Sequence, residues 1–143
     1  MRNNIFYTTG GAKLVNVTNS IAALGSAGIG FSGNAYFSGG STFRIQWGAT
    51  TYDSAMKWRD ATAEESTRGV LTAYQGDPKL VAAGKGGTLG DADRIEQLAA
   101  YRLQSTSPFV DRGRPVSNPA TLDFFAGPAL LGKAIDIGAD ELK

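Results

Sequence analysis

The residues best suited to metal chemistry form an acidic cluster, Asp91, Asp93 and Glu96, in a D-x-D-x-x-E pattern. Closely spaced carboxylate oxygens are the ligands that a hard cation such as calcium prefers, so a divalent cation is the cofactor this pattern suggests. The alternative is structural, because acidic residues stabilise a helix N-terminus by capping it and by opposing its dipole. The longer spacing of an EF-hand loop is absent, which favours the structural interpretation.

Two further charged groups lie nearer the C-terminal end. Asp136, Asp140 and Glu141 could serve as general acids or bases or hold a metal. Turn capping by Asp136 and solvent exposure of Glu141 are the structural alternatives. Residues 111–114 (DRGR) could present two guanidinium groups to an acidic sugar or a phosphate, or could simply form a turn.

The composition excludes several kinds of chemistry. The 143 residues include no histidine and no cysteine, which excludes Ser-His-Asp triads, Cys-His pairs, disulfides and metal sites built on either residue. Proton transfer would then fall to Asp, Glu, Lys, Tyr or a guanidinium group. The net charge is +1 and no basic run reaches three residues, which argues against nucleic acid or an anionic membrane surface as a partner.

The elements that must position these groups begin with a segment that occurs twice. Residues 4–11 (NIFYTTGG) recur as residues 34–41 (NAYFSGGS), and the register holds as far as Val17 and Trp47. Such a fixed period indicates stacked, similar units, each a strand, a glycine-rich corner and a second strand. Alternation along the second strands predicts one interior face, formed by Lys13, Val15 and Val17 in the first copy and by Phe43, Ile45 and Trp47 in the second.

The opposite, outward face of the second strands carries the best-placed ligand contacts. Asn16 in the first copy and Arg44 and Gln46 in the second are predicted to touch a bound ligand there. Trp58 lies in a helix predicted over residues 53–62, capped by Asp53 or Ser54. Its ring is predicted either to stack against a sugar or to pack in the core. A second helix is predicted to open at residue 93.

Several segments in chain order resemble a known family. Residues 3–6 (NNIF) and 33–36 (GNAY) resemble the inter-strand corners of the right-handed parallel β-helix, pectate-lyase-like family. The later part of the chain is similar to that family's C-terminal order in five segments: 77–80 (DPKL), 101–103 (YRL), 107–113 (SPFVDRG), 123–128 (DFFAGP) and 136–141 (DIGADE). The similarity extends over nearly the whole chain and is weakest at residues 83–100.

The resemblance implies an all-β fold: a short right-handed parallel β-helix of about two coils, with two short α-helices and an irregular C-terminal cap. Residues 1–143 would form one domain, with coils at 2–49 and the helix-containing cap at 50–143. Family members are mostly exported and act on or bind polysaccharides, so the parent protein is expected to be secreted or on the cell surface. No signal peptide is expected within this chain. The family's catalytic positions would fall on coils that this chain lacks, so none is transferred.

Two coils make a short stack, because repeat units bury their apolar faces only against neighbours. A second copy covering the open N-terminal end would give a homodimer. The expected function is a structural or carbohydrate-associated C-terminal fragment of an exported β-helix protein, self-associating through that end. The alternative is a small carboxylate-based hydrolase or polysaccharide lyase, with or without a metal, whose site lies at a subunit interface.

Overall fold

The computed structural model describes residues 1–85 and 94–142 of the chain. The chain divides into two compact units, Met1–Asp77 and Pro78–Lys143. Regular strands occur in the N-terminal unit. The described part of the C-terminal unit is mostly turns and isolated bridges.

The elements of the N-terminal unit are short. Its strands are β1 (Ile5–Thr9), β2 (Val15–Val17), β3 (Ala35–Gly39), β4 (Ile45–Trp47), β5 (Thr50–Tyr52), β6 (Ser66–Thr67), β7 (Val70–Leu71) and β8 (Tyr74–Gln75). Its helices are α1 (Asn19–Ala22), a 3₁₀ helix at Gly25–Ala27, and α2 (Ala55–Thr62).

The strands form three small sheets. The first has the order β1-β3-β8 with both pairs parallel, the second has the order β2-β4-β5, and the third pairs β6 with β7. The offset of the sequence repeat recurs in the pairing, because β1 lies beside β3 with Ile5 opposite Ala35, and β2 lies beside β4 with Val15 opposite Ile45. The two copies of the repeat are therefore neighbours in space.

The prediction of an all-β, right-handed parallel β-helix is wrong. The described residues form a mixed α/β structure, in which small sheets with parallel and antiparallel pairs accompany two α-helices, and they form no solenoid. The reason lies directly after the second repeat. Gly48, at a φ of +60°, reverses the chain so that β5 returns antiparallel to β4, and β6 and β7 form a further antiparallel pair.

The core of the N-terminal unit lies between the sheets and α2. The interior face predicted for the second strands is correct at four positions, since Val15, Val17, Ile45 and Trp47 are all buried. Lys13 is exposed instead, and Leu14 is buried, because β2 begins only at Val15 and strict alternation does not extend back to them. Helix α2 forms where predicted, with the Ser54 side chain accepting a hydrogen bond from the Lys57 backbone N–H.

The C-terminal unit has little regular structure. A 3₁₀ helix runs from Ile95 to Tyr101, and an isolated antiparallel bridge joins Leu80 to Leu103. The predicted helix start at residue 93 lies outside the described residues. Within the two described ranges, no helix is long and apolar enough to cross a membrane.

Candidate functional site

A row of polar side chains crosses the second sheet on its outer face. Asn16 of β2 lies opposite Gln46 of β4, and Gln46 lies opposite Thr51 of β5. Asn16 and Thr51 are exposed and Gln46 is half-buried. The structure therefore brings together two of the predicted ligand contacts and adds Thr51, which the sequence reasoning missed. The feature that could have revealed Thr51 is Gly48, where the chain turns back and places a third strand beside the repeat.

Hydrogen bonds fix the middle of this polar row. Gln46 Nε2 donates to the Gly48 carbonyl at 2.6 Å, and Thr51 Oγ1 donates to Gln46 Oε1 at 2.8 Å. Asn16 makes no side-chain hydrogen bond within residues 1–85 and 94–142, so its amide can both donate to and accept from a ligand. Arg44 precedes β4 and is exposed, with its guanidinium donating to the Gly11 carbonyl.

Trp58 lies in the core. Its side chain has no exposed surface, and its ring contacts those of Phe31 at 5.2 Å and Trp47 at 5.4 Å between centroids. Trp58 Nε1 has no hydrogen-bond partner within the described ranges. Of the two uses predicted for this ring, the structure therefore places it in core packing, where it offers no face to a sugar.

The predicted calcium cluster falls largely outside the described residues. Asp91 and Asp93 both lie there, and Glu96 belongs to the 3₁₀ helix Ile95–Tyr101. Among the residues that the structure does describe, no three acidic side chains are arranged to hold a metal ion.

A buried carboxylate, Glu65, organises the first sheet. Its side chain is fully buried and receives five hydrogen bonds. Oε2 accepts from the Gly33 N–H and the Thr72 hydroxyl, each at 2.7 Å. Oε1 accepts from the Asn34 N–H at 3.2 Å, from Asn34 Nδ2 at 2.5 Å and from the Tyr36 hydroxyl at 2.8 Å. Burial and this carboxylate together raise the pKa of Tyr36, so the phenol remains a donor.

Glu64, the residue before it, has a simpler environment. Its Oε2 accepts one hydrogen bond, from the Phe31 N–H at 2.7 Å, and burial raises its pKa. Glu64 also lines a polar cavity of about 290 Å³, together with Arg2, Ser32 and Ser66 among others. Neither glutamate was predicted as a functional residue, because residues 64–69 carry the composition of a charged loop.

Carboxylates also hold the C-terminal unit together. In the described part of the unit, five acidic side chains each accept at least one backbone N–H: Asp111, Asp123, Asp136, Asp140 and Glu141. Asp111 Oδ1 accepts two of these bonds, from the backbone N–H groups of Lys133 at 2.6 Å and Ala134 at 2.9 Å. Because these donors lie 22 and 23 residues away, Asp111 joins distant segments and does not close a local turn at residues 111–114. Asp136 likewise accepts from the Asp111 N–H, 25 residues away, and from the Leu142 N–H, six residues on.

Glu141 is the most perturbed member of this group. Burial, followed by the nearby negative charges of Asp136 and Asp123, raises its pKa to about 6. Its Oε1 accepts from the Asp136 N–H at 2.8 Å, whereas its buried Oε2 has no hydrogen-bond partner within the described ranges. Asp140 is different, because Arg102 forms an ion pair with it at 3.0 Å. Burial still raises the pKa of Asp140 against that attraction.

The C-terminal unit also contains an apolar cavity of about 250 Å³. Its walls come from two segments of chain, with Pro115, Val116 and Pro119 on one and Leu130, Lys133 and Ile135 on the other. The two segments are joined by the Gly113 N–H, which donates to the Ile135 carbonyl at 2.7 Å. The lining includes none of the five carboxylates that accept these backbone hydrogen bonds.

Comparison of the chain with protein-family models, with curated proteins and with solved structures finds no match. The site is therefore interpreted from its own geometry.

Proposed function

We propose that this chain is a carbohydrate-associated structural module, which contacts saccharide hydroxyl groups through the polar row Asn16–Gln46–Thr51. The observation that carries the proposal is the register of these three side chains across neighbouring strands on an exposed face. Amide and hydroxyl groups both donate and accept hydrogen bonds, as sugar hydroxyls do. Neighbouring strands are about 4.8 Å apart, so the row repeats its polar groups at a regular interval.

The surroundings of the polar row favour binding over catalysis. The row contains no titratable group, and Arg44, which precedes β4, is the predicted ligand contact that carries a charge. An exposed guanidinium suits an acidic sugar better than a neutral one, because it pairs with a carboxylate in planar geometry. Acidic polysaccharides are therefore the class that we expect to bind most tightly.

The test is affinity electrophoresis of the chain through gels containing acidic or neutral polysaccharides. We expect retardation by an acidic polymer, and a loss of roughly tenfold or more in affinity for the Asn16→Ala/Gln46→Ala double variant, since each lost hydrogen bond costs about 1 kcal/mol. The matched control is Thr8→Ala/Ser38→Ala, which removes a polar pair at 3.4 Å on the other sheet. Equal retardation of both double variants, or no retardation by any polymer, would rule the proposal out.

A carboxylate-based hydrolase or polysaccharide lyase is the second candidate, and Glu141 is the observation that favours it. A carboxyl group with a pKa of about 6 and one oxygen without a partner could exchange a proton near neutral pH. A turnover screen on polysaccharides and chromogenic esters tests this candidate, with Glu141→Gln as the variant. Activity that is unaffected by Glu141→Gln would remove Glu141 from consideration, and inactivity across the whole screen would remove the candidate.

A further inference from the structure

A series of hydrogen-bonded side-chain amides runs across the first sheet and ends at Glu65. Both the backbone N–H and Nδ2 of Asn4 donate to Asn34 Oδ1, at 2.9 and 3.0 Å. The same two groups of Asn34 donate to Glu65 Oε1. The arrangement therefore has a direction: each asparagine donates two hydrogen bonds inward and offers its Oδ1 oxygen to the strand on its outer side.

At the outer end of this series of amides, one hydrogen-bond acceptor is left without a donor among the described residues. Asn4 Oδ1 accepts no hydrogen bond from residues 1–85 or 94–142, whereas Asn34 Oδ1 accepts two. Asn4 directly precedes β1, which is the edge strand of the first sheet. The backbone groups of an edge strand can pair with a further strand, and such pairing is a common way to bind an extended peptide.

The side chains of β1 indicate which strand would fit. Where β1 meets β3, Phe6 stacks on Tyr36 at 5.0 Å and 6°, and Tyr7 lies 5.4 Å from Phe37. The hydroxyls of Thr8 and Ser38 follow at 3.4 Å. Strand β1 has the same order of residue types as β3. Its outer edge can therefore make with a further strand the same aromatic and hydroxyl contacts that β3 makes with β1.

We propose that the outer edge of β1 binds an extended polypeptide segment of the type Asn-Xaa-aromatic-aromatic-Ser/Thr, added in parallel. The asparagine of that segment would donate its backbone N–H and Nδ2 to Asn4 Oδ1, as Asn4 does to Asn34. Its two aromatic rings would stack on Phe6 and Tyr7. This site lies on a different sheet from the polar row and does not depend on the carbohydrate proposal.

The same geometry weighs against the homodimer predicted from the sequence. In a second copy, the backbone N–H and Nδ2 of Asn4 already donate to its own Asn34. A second β1 edge therefore brings no free asparagine donor, and Asn4 Oδ1 would stay without a donor in each copy. A buried acceptor left without a donor costs about 1–3 kcal/mol, so this pairing is disfavoured relative to a strand that brings free donors.

The probe is a capped peptide with the sequence of residues 3–9 (NNIFYTT), labelled for fluorescence anisotropy and titrated with the full chain. We expect saturable binding that weakens about fivefold or more when the second asparagine of the peptide is replaced by alanine, because the pair of donated hydrogen bonds is then reduced. In the chain, Asn4→Ala and Asn4→Asp both lose the Nδ2 donor to Asn34, but only Asn4→Asp keeps an acceptor oxygen. Binding should therefore survive in Asn4→Asp and fall in Asn4→Ala.

The direction of binding is measured separately, with a paramagnetic label on the C-terminus of the peptide. Parallel addition predicts the strongest broadening of amide signals near Thr9, and antiparallel addition predicts it near Asn4. Equal affinity of the two peptides, equal loss in the two Asn4 variants, or broadening near Asn4 would each overturn the proposal. So would concentration-dependent dimerisation of the chain with no binding of the peptide.

Discussion

Replacement of Glu65 by glutamine tests how far one buried carboxylate stabilises the N-terminal unit. The substitution keeps the shape of the side chain and exchanges one oxygen for a donor. If Nε2 takes the place of Oε2, it faces two groups that now donate to that oxygen, the Gly33 N–H and the Thr72 hydroxyl, both at 2.7 Å. The opposite orientation is worse, because Nε2 would then face three donors.

The expected cost is set by the better of these two orientations. The Thr72 hydroxyl can rotate to accept from Nε2, and the Gly33 N–H keeps a weaker contact with Thr72 Oγ1 at 3.2 Å. One buried donor is then poorly paired, at about 1–3 kcal/mol, and the remaining bonds lose the strength that a charged acceptor gives them. We expect Glu65→Gln to lower the free energy of unfolding of the N-terminal unit by about 2–3 kcal/mol.

The assay is urea denaturation followed by tryptophan fluorescence. Both tryptophans of the chain, Trp47 and Trp58, lie in the core of the N-terminal unit, so the signal reports on that unit. The matched control is Glu64→Gln. The Glu64 carboxylate accepts a single backbone N–H, and a glutamine carbonyl oxygen can accept that bond as well, so the expected loss is below about 1 kcal/mol. A cost for Glu65→Gln that is no greater than the control would refute the reasoning.

Three further substitutions have defined outcomes. Gly113→Ala should destabilise the C-terminal unit by about 2 kcal/mol or more, because the new Cβ would lie 2.6 Å from the Ile135 carbonyl oxygen; circular dichroism melting should show this, and an unchanged melt would contradict it. The folded-state pKa of Glu141, about 6, lies above its ordinary value of 4.5, so its protonated form adds stability below about pH 4.5 that is lost as the pH rises through 6. Glu141→Gln should flatten this part of the stability profile, whose height stays below about 2 kcal/mol because the group is partly exposed to solvent; a profile unchanged by the substitution would refute the assignment. Ser54→Ala removes the cap of α2 and should cost about 1 kcal/mol in urea denaturation, whereas a loss near zero would mean that the cap contributes nothing.

The repeat in the sequence predicted strand pairing well and overall architecture badly. Matching residues at a fixed offset identify which strands are similar, and Val15 does lie opposite Ile45. The pattern carries no information about the residues beyond the second copy, where Gly48 turns the chain back into an antiparallel strand. The family resemblance rested on short segments. It led to a prediction of parallel coils, whereas the chain forms antiparallel pairs after the second repeat.

The candidate site was predictable where alternation determines it and hidden where contacts come from distant residues. Asn16 and Gln46 are placed on the outer face by a period of two, which local sequence reveals. Trp58 had two possible uses, and packing against Phe31 decided between them. Glu65 could not be recognised, because its donors come from residues 33–36 and from Thr72 and only the folded chain assembles them.

The series of amides that ends at Glu65 has two chemically different ends. Asn4 presents an acceptor at one end, but a carboxylate at the other end has no donor to pass on to a following strand. Head-to-tail growth needs complementary ends, as in an open filament. A molecule that adds a strand at Asn4 therefore reaches a finite size. Glu65 offers no donor to a following strand, so this series of amides cannot continue from molecule to molecule into a fibre.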